Sequence, residues 1–179
     1  MDKLKVSGKE FRLFIPAEKI DKEIKSIAEQ MNKDLVGKKP IFLSVLNGAF
    51  MFTSDLLKNI TIEDSEVSFI KLASYEGMHS SGKVSEVIGL NIDIENRCLV
   101  ILEDMLDSGR SMSYLLDILK SKNPSEIKLA VMFYKPNALK FNVHMDYKAI
   151  ALENDFVLGR GLDYNGIGRN YPDLYIINE

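Results

Sequence analysis

The stretch VILEDMLDSGRSM, Val100–Met112, decides how this chain folds. It opens inside a continuous apolar run, CLVIL from Cys98 to Leu102, of the kind a strand shows when both of its faces are covered. The run stops at two acids, Glu103 and Asp104. A third acid, Asp107, follows after two apolar residues. Ser108, Gly109, Arg110 and Ser111 then make a small-residue turn. Beyond it SMSYLLDILKS has a helical period, with Met112, Leu115, Leu116 and Leu119 on one face. The unit is strand, acids, small-residue loop, helix.

Working outward, the same alternation recurs. Pro16 opens a helical pattern with Ile20, Ile24, Ile27, Ala28 and Met31 on one face, and Gly37 and Pro40 close it. PIFLSVL is a short covered strand, NGAF turns the chain and MFTSDLLKNI reads as a short helix. VSFIKLA, VIGLNIDI, IKLAVMFY, YKAIAL, DFVLG and LYIIN read as further strands. Strands alternating with helices predict an α/β fold with a central, mostly parallel sheet flanked by helices. Ligands of such sheets sit at the carboxyl ends of the strands. That end is where Glu103 and Asp104 stand.

The loop suits an anion. The first N–H groups of a helix lack partners, and the helix dipole favours negative charge there. Ser108 and Ser111 add hydroxyl donors, and Gly109 lets the backbone approach closely. It is not a Walker loop, because Asp104 stands where glycine is required and Arg110 replaces the lysine. GRGLDYNGIG, residues 159–168, contains no GxGxxG in frame. Facing the anion, Glu103 and Asp104 would repel it. They suit hydroxyl donors or a metal ion instead. A ribose 5-phosphate satisfies both demands, with its phosphate on the helix N-terminus, its 2- and 3-hydroxyls on the two carboxylates and Asp107 near the ring as a candidate general base.

Composition is that of a globular protein. The chain has 179 residues, 46% hydrophobic and 27% charged, enough for one domain with a substantial core. A net charge of -3 does not suggest a nucleic-acid footprint. One cysteine, Cys98, makes no internal disulfide and points to a reducing compartment, and one Cys with two His argues against structural zinc. With no secretory h-region and no stretch of ~18–20 apolar residues, a cytoplasmic location is expected, with no membrane partner.

Residues 100–112 resemble the phosphoribosyl pyrophosphate signature of the type I phosphoribosyltransferases, and nearly the whole chain resembles the hypoxanthine-guanine branch of that family. The resemblance implies a single domain over 1–179. A lid would span about 74–87, with the Ser74–Tyr75 pair, and a small hood would be built from the N-terminal strand and about 150–179. It implies pyrophosphate binding by the backbone of Leu46, Asn47 and Gly48, with a cis bond at Leu46–Asn47, and by Lys71 and Arg169. The family commonly has Lys where Asn47 stands, so a cation is missing here. Lys135 would donate to a purine 6-oxo group, Phe156 would stack on the base and Val157 would meet its edge through the backbone. An ammonium offers only donors, so it suits a 6-oxo acceptor and not a 6-amino group. The 21-residue spacing from Lys135 to Phe156 matches the family register.

The activity implied is transfer of 5-phosphoribose from phosphoribosyl pyrophosphate to N9 of hypoxanthine, with guanine also accepted, releasing pyrophosphate. Asp107 and Lys135 would be catalytic, and Glu103, Asp104 and Asp163 are the candidate ligands of Mg²⁺. Family members form dimers and tetramers, so a homodimer or homotetramer is expected. The alternative is a non-catalytic regulator that keeps the phosphoribose loop as a sensor. The net charge counts against its RNA-binding form, and the lid, Lys135 and Phe156 count for catalysis.

Overall fold

The computed structural model describes residues 3–74 and 84–178. The larger of two sheets contains β3 (Ile41–Leu46), β4 (Glu66–Ser74), β5 (Val84–Ile88), β6 (Cys98–Leu106), β7 (Glu126–Tyr134) and β8 (Tyr147–Ala151), in the order β5-β4-β3-β6-β7-β8. All neighbours run parallel except β5, which pairs antiparallel with β4 at the edge. After β3 the chain moves to one side of the sheet, and after β6 to the other. The boundary between β3 and β6 is therefore the topological switch point, where an open α/β sheet forms its crevice.

Alternation along the strands makes two cores. Phe42, Val100, Leu102, Ala130 and Met132 pack with α1 (Ala17–Asp34) and α2 (Phe50–Leu57). Ile41, Leu43, Leu99, Ile101, Leu129 and Val131 pack with Met112, Leu115 and Leu119 of α3 (Arg110–Lys120). The buried stripe of α1 is Ile20, Ile24, Ile27, Ala28 and Met31, the face its 3.6-residue period predicts.

The smaller sheet brings the chain ends together. β1 (Lys3–Val6) and β2 (Lys9–Ile15) form a hairpin, and β10 (Leu174–Ile177) joins β2 to β9 (Val157–Leu158). Leu4, Val6, Phe11, Leu158 and Tyr175 form its core. Ala17 N–H donates to Asp173 Oδ1 at 2.8 Å, so the C-terminal segment is seated on the start of α1.

Two expectations change. The strand expected over VIGLNIDI ends at Ile88. Beyond it Ser68 Oγ of β4 donates to Asn91 Oδ1 at 3.3 Å, and Asp93 Oδ1 accepts from Glu95 N–H at 3.0 Å in a local turn. DFVLG contributes only the two residues of β9. Of the expected lid, residues 75–83, Tyr75 among them, lie outside the described residues, while 84–87 belong to β5 and pair with β4. No helix among the described residues is long and apolar enough to cross a membrane.

Candidate active site

β6 does not end at its acids. It runs through Glu103 and Asp104 to Leu106, still paired with β7, whereas its pairing with β3 stops at Leu102. The acids thus occupy a length of strand with a neighbour on one side only. On the open side the chain leaves β3 through the turn at Asn47–Ala49, whose Leu46–Asn47 peptide is cis. The turn is tied down by Ala49 N–H donating to Val45 O at 3.2 Å. A buried bond from Thr53 Oγ1 to Ser44 Oγ, 2.7 Å, pins α2 onto β3.

Gly48 rests directly on the acid pair. A Cβ there would lie 1.5 Å from Asp104 Oδ2, so no other residue fits without displacing that carboxylate. Gly161 rests on Gly48 in turn, since its Cβ would fall 2.0 Å from Gly48 O. Asp104, Gly48 and Gly161 form a stack that joins three distant segments. Arg169 extends it, donating through Nη1 to Gly161 O at 2.7 Å and pairing through Nη2 with Asp163 at 2.6 Å. Asp163 also accepts from Gly166 N–H at 2.6 Å.

A cavity of about 190 Å³ opens beside the stack, lined by Leu46, Gly48, Leu72, Glu103, Asp104 and Ser111. A smaller one of about 120 Å³ follows the loop from Met105 to Met112 and shares Glu103 and Ser111 with the first. Gly109, at φ 82°, is the left-handed residue that turns the chain into α3, and Ser108 Oγ accepts from Arg110 N–H at 3.4 Å. The N-terminus of α3 borders the smaller cavity, with Arg110, Ser111 and Met112 in its lining.

The two acids are out of their usual range. Burial, followed by the charge of Asp104, pushes the Glu103 carboxyl well above the ordinary glutamate value. Glu103 Oε2 is sealed from solvent and has no hydrogen-bond partner among the described residues. Burial raises Asp104 to about 6, against the lowering effect of the Met105 and Asp104 backbone N–H groups and of Arg169. A buried acceptor without a donor is costly. Hydroxyl donors or a cation would satisfy such a pair.

The structure places the remaining candidates as follows. Asp107 is exposed on the loop, Ser108 is half-buried and Gly109 is buried, and Arg110 and Ser111 are exposed in the first turn of α3. Lys71 of β4 pairs in register with Leu46, the last residue of β3, and is half-buried. Ser74 is the last residue of β4. Lys135 directly follows β7, its N–H donating to Leu106 O at 3.0 Å. Phe156 is 43% exposed rather than filling the core. Tyr164 packs T-shaped with it at 5.6 Å between centroids, and buried Phe11 lies tilted against it at 6.4 Å. Val157 is buried, opposite Ile176. Glu103, Asp104 and Asp163 do not converge as one ligand set. No three acidic, His or Cys side chains do so among the described residues, and Asp163 is engaged with Arg169.

Sequence reasoning missed Gly161 as a contact of the turn, and Phe11 and Tyr164 as supports of Phe156. The glycines at 159 and 161 were visible in GRGLDYNGIG, but their contacts are not local.

An acid pair beside a helix N-terminus at the switch point of a mostly parallel sheet marks an α/β domain of the kind that holds its ligand at the carboxyl ends of its strands. The phosphoribosyl transferase domain model matches residues 16–165. A hypoxanthine-guanine phosphoribosyltransferase of Streptococcus thermophilus is 34% identical over 169 residues, covering 94% of this chain and 93% of that protein. Its counterpart in Streptococcus pyogenes is 35% identical over 161 residues, 89% of each chain. The crystal structure of a hypoxanthine phosphoribosyltransferase from Staphylococcus aureus superposes with a TM-score of 0.88 at 30% identity, covering 93% of this chain and 91% of that one. The chain belongs to the type I phosphoribosyltransferase family, in its hypoxanthine-guanine branch.

Proposed function

We propose that this protein is an enzyme of purine salvage that transfers 5-phosphoribose from phosphoribosyl pyrophosphate to N9 of a 6-oxopurine, hypoxanthine or guanine, releasing pyrophosphate. One observation carries the reading most directly: a desolvated acid pair with an unpartnered oxygen beside an open helix N-terminus.

The 5-phosphate binds at Asp107–Ser111, where the N-terminus of α3 offers backbone N–H groups and Ser108 and Ser111 can add hydroxyl donors. Glu103 and Asp104 accept the 2- and 3-hydroxyls through the parts of their carboxylates that line the larger cavity. The backbone of Leu46, Asn47 and Gly48 takes the pyrophosphate, with Lys71 and Arg169 supplying charge. Asn47, exposed and uncharged, leaves that task to its neighbours. Phe156 stacks on the base, and Val157 meets the base edge through its backbone. Lys135 donates to the 6-oxo group and stabilises charge there as N9 bonds to the anomeric carbon. Asp107 accepts the purine N7 proton.

The donor set also fits Mg²⁺, an ion that takes one or two carboxylates together with substrate oxygens and water and so needs no protein triad. Glu103 and Asp104, or Asp163 near the pyrophosphate, would hold it, and bound there it neutralises the leaving group. The expected lid, about 74–87 with Ser74 and Tyr75, would keep water from the reacting carbon. Assembly as a homodimer or homotetramer in the cytoplasm belongs to the same reading, with Phe50, Val67 and Phe69 exposed as apolar surface to bury.

The test is a spectrophotometric assay with phosphoribosyl pyrophosphate, Mg²⁺ and each of hypoxanthine, guanine and adenine. Turnover is expected with the 6-oxopurines and not with adenine, and chelation of the metal should abolish it. Lys135→Ala should lower kcat/KM for hypoxanthine by roughly 100-fold or more, as loss of a buried donor to substrate does. Tight binding of phosphoribosyl pyrophosphate without turnover on any base would replace the enzyme with a sensor.

A further inference from the structure

Arg160 stands between the two glycines that rest against other backbone, and its side chain points away from the site. It is only 4% exposed. Its Nη2 pairs with Asp21 of α1 and with Asp55 of α2, the latter at 2.9 Å. Its Nη1 donates to Pro172 O at 3.1 Å, and its own N–H donates to Tyr171 O at 2.7 Å. Burying a guanidinium is costly unless its partners are well placed, and removing one partner of such a group is more costly still. The backbone at Arg160 is left-handed, φ 50°, a conformation that a non-glycine residue holds only when its surroundings enforce it.

The placement of Asp55 gives the contact its meaning. α2 begins at Phe50, directly after the Asn47–Ala49 turn, and is pinned to β3 by Thr53. The helix that fixes the turn therefore also grips Arg160. On the other side of Arg160, Gly161 touches Gly48 and receives Arg169. We infer that Arg160 is a positioning residue. Through Asp55 and α2 it sets the spacing between the pyrophosphate-binding turn and the segment that carries Phe156, Asp163 and Arg169. The inference rests on the phosphoribosyl-transfer reading. It touches neither substrate nor the reacting atoms, so it acts on substrate affinity more than on the chemical step.

Steady-state kinetics of the full chain with phosphoribosyl pyrophosphate, hypoxanthine and Mg²⁺ test this in Arg160→Met, Arg160→Lys, Asp55→Asn and the Arg160→Met/Asp55→Asn double variant. The expected result is a rise of about tenfold in KM for phosphoribosyl pyrophosphate in Arg160→Met and in Asp55→Asn, with kcat changed less than about threefold. Arg160→Lys should restore part of the loss, and the double variant should be no worse than the poorer single one, as for residues acting through one contact. A merely structural Arg160 would lower Tm and leave KM unmoved. KM within about twofold of wild type in folded Arg160→Met and Asp55→Asn overturns the inference. If Arg160→Met fails to fold by circular dichroism, Asp55→Asn decides by the same criterion. A wild-type protein without turnover would sink the transfer reading separately. The Kd of phosphoribosyl pyrophosphate in the same variants, by calorimetry, would then decide the positioning role.

Discussion

At Asp104, burial holds the carboxyl at about 6, where an unfolded chain would ionise near 4. The folded state therefore keeps a proton that the unfolded state has already released. Stability from this group is complete below about pH 4 and is lost as pH rises through about 6. In the ligand-free protein Asp104→Asn should consequently raise stability by roughly 2 kcal/mol at about pH 8, and the gain should vanish below about pH 4. Urea titrations at the two pH values check this, and equal stabilities at the higher pH would refute it. Substrate reverses the preference, because the ionised carboxylate is a stronger acceptor for a ribose hydroxyl than the protonated acid. The kcat/KM for phosphoribosyl pyrophosphate should thus fall on the acid side with a limb near 6. The acids could be picked out of the chain by type and spacing. Their burial could not, since it comes from Gly48 and from the extension of β6 beside β7.

Among the elements, the turn after β3 and the loop from 159 to 161 are interlocked by backbone rather than side chains. Gly161→Ala would place a methyl 2.0 Å from Gly48 O at φ +99°, a region in which L residues are strained. A loss of about 2 kcal/mol or more is expected, together with a raised KM for phosphoribosyl pyrophosphate as the turn is pushed onto Asp104. Thermal melts and initial rates measure both, and a variant with wild-type values for each would show that the stack yields freely. The helical periods of α1 and α3 could be read directly, because each buries one face against the sheet. The hairpin of β1 and β2 was less conspicuous. Its signal is Ser7-Gly8, both at positive φ, between a run that buries Leu4 and Val6 and a run that buries Phe11 and Ile15.

Over the whole molecule, the sheet divides two cores and the crevice forms where they meet the switch point. Phe42 is wholly buried at the centre of the core under α1 and α2. Phe42→Ala should cost about 3–5 kcal/mol, the range for a large core side chain replaced by a cavity. Because Phe42 lies toward the amino end of β3, KM should stay near its wild-type value wherever the variant remains folded. Chemical denaturation and kinetics at a low temperature separate the two effects. A variant that keeps its stability would mean the core closes around the loss.

By itself the sequence determined what depends on neighbours along the chain. Hydrophobic period specifies which residues form strands and helices. Gly109, Ser108 and Ser111 specify a loop that opens onto a helix N-terminus. The order of Glu103, Asp104 and Asp107 specifies the chemistry offered there. Tertiary structure alone decided what meets across the chain. Arg160 reaches Asp21 over 139 residues, and Gly161 reaches Gly48 through the docking of the C-terminal segment on α1 and α2. Contacts at such separations follow from the topology of the sheet and from where the second sheet is seated. No local period or spacing encodes them, so the residues that hold the site in register became visible only once the chain was folded.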